Sequence, residues 1–364
     1  MTPDSLRIEF TNYERTVWVV NSVEGHLVKY YSDLLICFDR FPEFPREGLD
    51  PLTPDFTVSF IGDYHLIGEI KRALGGSEKA VEETFEQIAD YAQTLRFKTV
   101  AGGAHDHEVE RHDIIVFVNL EHARKEARKL RQLVLAARER GEFGSAIAVF
   151  SATYDSQQAK ARWIFECVNE ESDRLTDDAL PEERRLSKRH QDDANTIVVY
   201  PDQFTAIQAV HHFCNDNPPA IYTAVILWSR VFPRLIPAED RARWTLEENN
   251  RGVIELKTSM DEVVKMLERL RIGVRKKHIR NAVDLLATAS LVIKHDAGNL
   301  TIGFRKFRAT QAEGEEKDEE IALDYTREGI INAVVKAQPK ASAAAVRGSK
   351  PKKVNSSPDQ LPLL

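Results

Sequence analysis

The chain has 364 residues, 42% of them hydrophobic and 29% charged, which is enough for a packed core in each of two domains with a tail left over. No apolar run reaches the roughly 18 residues that span a bilayer, the charged segment Met1 to Phe10 has no apolar signal region, and Cys37, Cys167 and Cys214 are too scattered for a disulfide framework, so a cytoplasmic protein without membrane contact is expected. The formal net charge of −7 excludes a uniformly basic nucleic-acid binder but leaves room for a local basic patch.

The first predicted element is an amphipathic helix from Val23 to Phe38, with Glu24 at its start, where a carboxylate complements the helix dipole. Two alternating runs follow, Asp55-Phe56-Thr57-Val58-Ser59-Phe60 and Tyr64-His65-Leu66-Ile67-Gly68-Glu69-Ile70-Lys71. The Gly62-Asp63 turn between them makes the pair read as an antiparallel hairpin. Side chains alternate faces along a strand, so Glu69 and Lys71 point the same way. Asp55 joins them only if the loop sets it opposite one of them. A strict two-residue loop at Gly62-Asp63 would pair Asp55 with Ile70 and put the acids on opposite faces. A shared site therefore requires an odd loop or a bulge.

Two carboxylates and a lysine gathered in this way suit one divalent ion and one water. Magnesium takes hard oxygen ligands in an octahedron and keeps several waters. The Asp55 and Glu69 carboxylates with the Ile70 backbone carbonyl would satisfy Mg2+ or Mn2+ without a complete protein cage. Lys71 would orient or activate the attacking water and offset charge on a phosphate. This is the division of labour of metal-assisted phosphodiester hydrolysis.

Pro54-Asp55 followed by Glu69-Ile70-Lys71 resembles the signature of the PD-(D/E)XK nuclease superfamily. On a helix predicted from Lys79 to Leu95, Gln87-Ile88-Ala89-Asp90-Tyr91 is similar to the Gln-x-x-x-Tyr of RecB-like members, and residues four apart share a helix face. The resemblance covers about the first 150 residues. It implies a restriction-endonuclease-like αβββαβ core over residues 1–202, Gln87 and Tyr91 supporting the site or the strand, and Glu24 helping to hold metal or water. The iron–sulfur variants of that branch need four clustered thiolates, so no cluster is expected here. The implied activity is that of a metal-dependent DNA nuclease. The alternatives are a catalytically inactive DNA-binding or clamp-associated regulator, and an RNA nuclease.

The loop after the helix holds His105, Asp106, His107 and His112; its spacing matches no structural-zinc pattern and it reads as a polar surface loop. Then come a strand at Asp113 to Leu120, a helix at Glu121 to Arg140, and strands at Ser145 to Ser151 and Ala161 to Val168. A charged insertion over 170–195 precedes a strand at Thr196 to Tyr200. Alternating strands and helices give an α/β class.

Residues 203–308 read as a second, mainly helical domain, with helices at Phe204 to Cys214, Ala220 to Phe232, Ser259 to Leu270 and Arg275 to Ser290. Leu291-Val292-Ile293-Lys294 and Leu300-Thr301-Ile302-Gly303-Phe304 then alternate around a turn and form a hairpin. Helix, turn, basic helix and hairpin resemble a winged helix-turn-helix, whose second helix enters the major groove. From Ser259 to Arg308 there are eleven Lys and Arg against five Asp and Glu, a difference of plus six. Arg275, Lys276, Lys277 and Arg280, beside His278, sit where that helix would meet phosphates.

Residues 309–364 read as a mostly disordered tail with a short helix at Asp324 to Ala337. The terminus, Asp359-Gln360-Leu361-Pro362-Leu363-Leu364, resembles the peptide by which bacterial replication and repair proteins hold the sliding clamp. Gln360 would fix register while Leu361, Leu363 and Leu364 enter an apolar pocket. DNA and the clamp are thus the expected partners, at the nucleoid, in replication or repair.

Overall fold

A computed structural model of the chain describes residues 2–71, 78–91, 95–97, 107–109, 112–155, 162–167, 175, 180–181, 196–200, 213, 217–240, 253–270, 274–296, 298–305 and 319–337. Its first element is a helix, α1 (Pro3–Tyr30), opened by Thr2, whose hydroxyl accepts the Ser5 N–H at 3.1 Å while Ser5 Oγ accepts the Thr2 N–H at 3.1 Å. Pro3 at the first helical position costs nothing, because its missing N–H would have had no partner there. The helix expected over Val23 to Phe38 is thus displaced. Glu24 lies near the C-terminal end of α1, and the chain turns at Tyr31 to enter β1 (Leu35–Arg40). Pairing with a neighbouring strand overrides the local periodicity there.

After β1 come a small hairpin, β2 (Phe44–Arg46) and β3 (Leu49–Leu52), and then the long hairpin β4 (Phe56–Phe60) and β5 (Tyr64–Ile70). A helix, α2 (Glu78–Tyr91), and a small ladder of β6 (Leu95–Phe97) with β7 (His107–Val109) lead into β8 (Asp113–Asn119). Next are α3 (Leu120–Glu139), β9 (Ile147–Asp155), β10 (Arg162–Cys167) and β11 (Thr196–Val199). The seven longer strands form one mixed sheet in the order β1-β4-β5-β8-β9-β10-β11. Its pairings are antiparallel at both ends and parallel across β5–β8–β9.

The parallel centre is buried on both sides, as continuous apolar runs require. In β8, Ile115 and Phe117 join the core shared with α1, while Ile114, Val116 and Val118 join the core shared with α2 and α3. The same alternation sends Phe56, Val58 and Phe60 of β4 toward α1.

The second unit starts with α4 (Ala220–Ile226), continues through a π-helical segment (Leu227–Val231) and ends in α5 (Phe232–Leu235). It goes on with β12 (Ile254–Ser259), α6 (Met260–Arg269), α7 (Lys276–Thr288) and the hairpin β13 (Val292–Asp296) and β14 (Asn299–Phe304). The hairpin expected around Asp296 to Asn299 is present. The strand β12 was not expected, and it makes a three-stranded sheet in the order β12-β14-β13. The unit is therefore less helical than its sequence suggested. The helix expected over Phe204 to Cys214 and nearly all of the 170–195 insertion lie outside the described residues.

A last helix, α8 (Glu319–Ala337), is longer than the helix expected inside the tail. Ile330 and Ile331 are fully buried and Val334 nearly so, within the core that also contains Phe10 and Tyr13 of α1 and Tyr222 of α4. Tyr222 packs against Phe10 and Tyr13 with ring centroids 5.2 and 4.6 Å apart. One apolar core thus runs from the sheet through α1 into the second unit, and α8 is part of it.

Candidate active site

The hairpin sets the geometry. Phe60 pairs with Tyr64, which leaves three residues in the loop, Ile61, Gly62 and Asp63; Gly62 and Asp63 have φ of 78° and 61°. Three is odd, so the ladder ends with Phe56 opposite Gly68, and the same register extended one step beyond it, into the bend at Asp55, would set Asp55 opposite Glu69. Directly opposed residues on antiparallel strands project to one face with Cβ atoms about 5 Å apart. The condition derived from strand alternation is met by the loop itself.

Local packing supports this register. Gly68 faces the Phe56 ring so closely that a Cβ built on it would lie 2.0 Å from Phe56 Cζ. At the end of β4 the ladder is continued by a side chain: Asp55 Oδ2 accepts the Ile70 N–H at 2.7 Å, and the Asp55 carbonyl accepts the Phe41 N–H at 3.1 Å. The Lys71 N–H donates to the Phe117 carbonyl of β8 at 2.9 Å. Asp55 and Glu69 are only 8% and 6% exposed.

Three side chains meet on Glu69 and on each other. Lys71 Nζ donates to Glu69 Oε1 at 2.9 Å, and Gln87 Nε2 donates to the same oxygen at 3.0 Å. The Tyr91 hydroxyl donates to Glu69 Oε2 at 2.9 Å and accepts from Gln87 Nε2 at 2.6 Å. Gln87 Oε1 in turn accepts from Lys71 Nζ. Gln87 and Tyr91 reach the strand together because they lie one turn apart on the face of α2 that covers it. Burial, and then the charge of Glu69, push the Tyr91 hydroxyl far above the ordinary phenol range, so it stays a proton donor.

Glu24 goes elsewhere. Its carboxylate pairs with Arg40 of β1, with Nε to Oε2 at 2.9 Å and Nη2 on the same oxygen, and Arg40 Nη2 also donates to Asn21 of α1 at 2.8 Å. Arg40 pairs in register with Phe56, on the α1 face of the sheet, whereas Glu69 meets α2. Glu24 thus ties α1 to β1. Arg40 is hidden from a sequence reading because a helix expected from Val23 to Phe38 leaves it just past the helix end, whereas it closes β1.

The donor set fits a hard divalent cation. Two carboxylates and a backbone oxygen are the protein share that magnesium accepts while keeping its waters, and the Lys71 ammonium on Glu69 marks where positive charge is favourable. Among the described residues there is no group of three His, Cys, Asp or Glu side chains that could hold a metal, so further ligands would be water or substrate.

His112 is buried, not on a surface loop, at 2% exposed. Its Nε2 meets the Tyr91 carbonyl at 2.5 Å, and its ring lies 5.7 Å from that of Phe97. Burial lowers its pKa to about 4, so the ring is neutral near pH 7. His107 lies in β7, while His105 and Asp106 are outside the described residues.

In the second unit, Arg275 precedes α7 and its Nη2 pairs with Glu43 at 2.6 Å, beside the β2–β3 hairpin. Lys276 lies 3.4 Å from Asp261, Lys277 and Arg280 are exposed, and His278 is turned into the core. Lys276 and Arg280 line a crevice of about 460 Å3 that also includes Asp261, Asp284 and Asn299 at the hairpin turn. Gln360, Leu361, Leu363 and Leu364 lie outside the described residues. No helix among the described residues is long and apolar enough to cross a membrane.

Compared with family models, with curated proteins and with solved structures, the chain matches none.

Proposed function

We propose that the protein is a metal-dependent nuclease that hydrolyses phosphodiester bonds of DNA. The observation that carries this reading is the buried cluster at the end of the hairpin, where Asp55 accepts from the Ile70 N–H next to Glu69 and Lys71, Gln87 and Tyr91 gather on the glutamate. The order α1, β1, β4, β5, α2, β8 supports an αβββαβ core of the PD-(D/E)XK kind, with β2 and β3 as an inserted hairpin.

Bound Mg2+ or Mn2+ would lower the pKa of a water and stabilise charge on the pentacoordinate phosphorus. Asp55, Glu69 and the Ile70 carbonyl would hold the ion. Lys71, which donates to Glu69 Oε1, would orient the attacking water. Gln87 and Tyr91 fix the Glu69 oxygens, so the carboxylate does not reorganise during the reaction. Low exposure at the site strengthens each of these interactions.

In this reading the second unit is a winged helix that positions DNA. The order of α4, β12, α6, α7 and the β13–β14 hairpin supports it, as do the exposed Lys277 and Arg280. The terminal peptide would hold the bacterial sliding clamp and raise the local concentration of enzyme on DNA.

A second reading is a DNA-binding, clamp-associated regulator built on an inactive nuclease fold. The observation favouring it is that Glu69 already has donors on both oxygens. An RNA nuclease is a third, because nothing in the hydrolytic chemistry reads the sugar.

The test is incubation of the wild type and Glu69→Gln with circular single-stranded, circular duplex and linear DNA, and with RNA, with and without Mg2+ or Mn2+. Cleavage that needs both metal and Glu69 supports the nuclease, with its substrate set by which polymer is cut. Binding without cleavage supports the regulator.

A further inference from the structure

His112 lies behind the site, immediately before β8, and its hydrogen bond toward the site is to Tyr91, which itself holds Glu69. Its contact is with the last residue of α2. The final carbonyls of a helix lack intrahelical donors and need an outside partner, and for Tyr91 that partner is His112 Nε2, at 2.5 Å. A carbonyl only accepts, so Nε2 carries the proton. A neutral ring has one N–H, and here it is committed to Tyr91.

The same residue carries the hydroxyl that donates to Glu69 Oε2 at 2.9 Å. Tyr91 is thus held at both ends, by His112 at its backbone and by Glu69 and Gln87 at its hydroxyl. Without the backbone contact the last turn of α2 would fray, as helix ends do, and the hydroxyl would leave the carboxylate. The ring packs on Phe97, and the His112 backbone runs straight into β8, whose Asp113 is paired with Leu66 of β5, so His112 is the anchored member of the pair.

We infer that His112 is a positioning residue, which acts through Tyr91 to hold Glu69 in the orientation needed for metal binding and hydrolysis. The inference rests on the nuclease reading for its effect on turnover, and on the hydrogen bonds alone for its effect on Tyr91.

The experiment is a double-mutant cycle of His112→Ala and Tyr91→Phe, with His112→Gln as the conservative variant. The full-length variants are read by kcat and KM on DNA with Mn2+, and by urea unfolding without metal. His112→Ala should lower kcat about ten- to hundredfold, as residues behind metal ligands do, with KM nearly unchanged. His112→Gln, which retains an N–H near the Nε2 position, should recover most of it. In the Tyr91→Phe background the alanine change should add less than about twofold. Unfolding should show the same non-additivity, since support of the helix end alone would not depend on the hydroxyl. Additive effects in both measurements, or an unaffected kcat in His112→Ala, would overturn the inference. A wild type that cleaves nothing removes the nuclease reading, and the unfolding cycle then decides the positioning role by itself.

Discussion

Gly68 and Phe56 face each other across the β4–β5 hairpin with no room for a side chain on the glycine: a Cβ there would lie 2.0 Å from Phe56 Cζ and 2.2 Å from Cε1. The aromatic ring covers the gap left by the glycine and stacks on Phe38 of β1, with centroids 5.0 Å apart. This pair adjoins Asp55 and Glu69, so its packing supports the register of the site.

Gly68→Ala should therefore destabilise the protein by roughly 1–3 kcal/mol through overpacking, and should lower metal-dependent cleavage even where the variant is fully folded. Urea denaturation and turnover measure the two effects. A loss of stability below about 0.5 kcal/mol, the scale of ordinary surface changes, would mean that the ring yields freely and that the glycine does not secure the register.

At the site itself, Lys71→Ala should cost about 10²–10⁴-fold in turnover, the usual range for a group that handles the reacting proton, with far-UV circular dichroism unchanged. Wild-type turnover from the folded variant would remove Lys71 from the chemistry.

The pH dependence of stability should carry the signature of His112. Its pKa falls from 6.5 to about 4 on folding, because burial disfavours the charged ring. Between these values the unfolded chain binds the proton and the folded chain does not, so stability declines as pH drops from 6.5 toward 4, by up to about 3 kcal/mol. His112→Gln has no proton to bind, so its stability should follow a flatter curve in that window. Parallel curves for wild type and variant would contradict the assignment.

Helix α8 should prove part of the folded body. Removing residues 338–364 should leave the unfolding midpoint nearly unchanged, whereas removing 319–364 strips Ile330, Ile331 and Val334 from the core. Each fully buried aliphatic side chain contributes about 1.5–3 kcal/mol, so the longer truncation should be severely destabilised. Ile331→Ala in the full chain should lose about 2–5 kcal/mol. Equal stability of the two truncations would refute the docking of α8.

If α7 meets a nucleic-acid backbone, Lys277→Ala and Arg280→Ala should each weaken DNA binding uniformly across sequences, and each should reduce the slope of log affinity against log salt by about 1. Fluorescence anisotropy at several salt concentrations measures this. Slopes unchanged in both variants would place the DNA surface elsewhere.

Much of this was legible in the sequence. Alternation in Asp55 to Phe60 and Tyr64 to Lys71, with glycine at the turn, specified the hairpin, and the spacing of Gln87 and Tyr91 placed both on one face of α2. The strand β12 is legible too: Ile254-Glu255-Leu256-Lys257-Thr258 alternates, though the strong helix signal that follows it masks so short a run. Glu24 misled because a carboxylate near an apolar stripe suits a helix start, while the Thr2 cap that opens α1 lies far upstream.

Sequence alone determined which residue types could do chemistry and which stretches extend or coil, because those depend on local side-chain spacing. Tertiary structure alone decided parity and partnership. The three-residue loop gave a register whose extension sets Asp55 on the side of Glu69, where a two-residue loop would have separated them. Pairing of β1 with β4 gave Glu24 to Arg40, and the approach of β8 to the end of α2 brought His112 onto Tyr91. Each of these depends on which distant segment supplies the hydrogen-bond partner, and local periodicity carries no record of that choice.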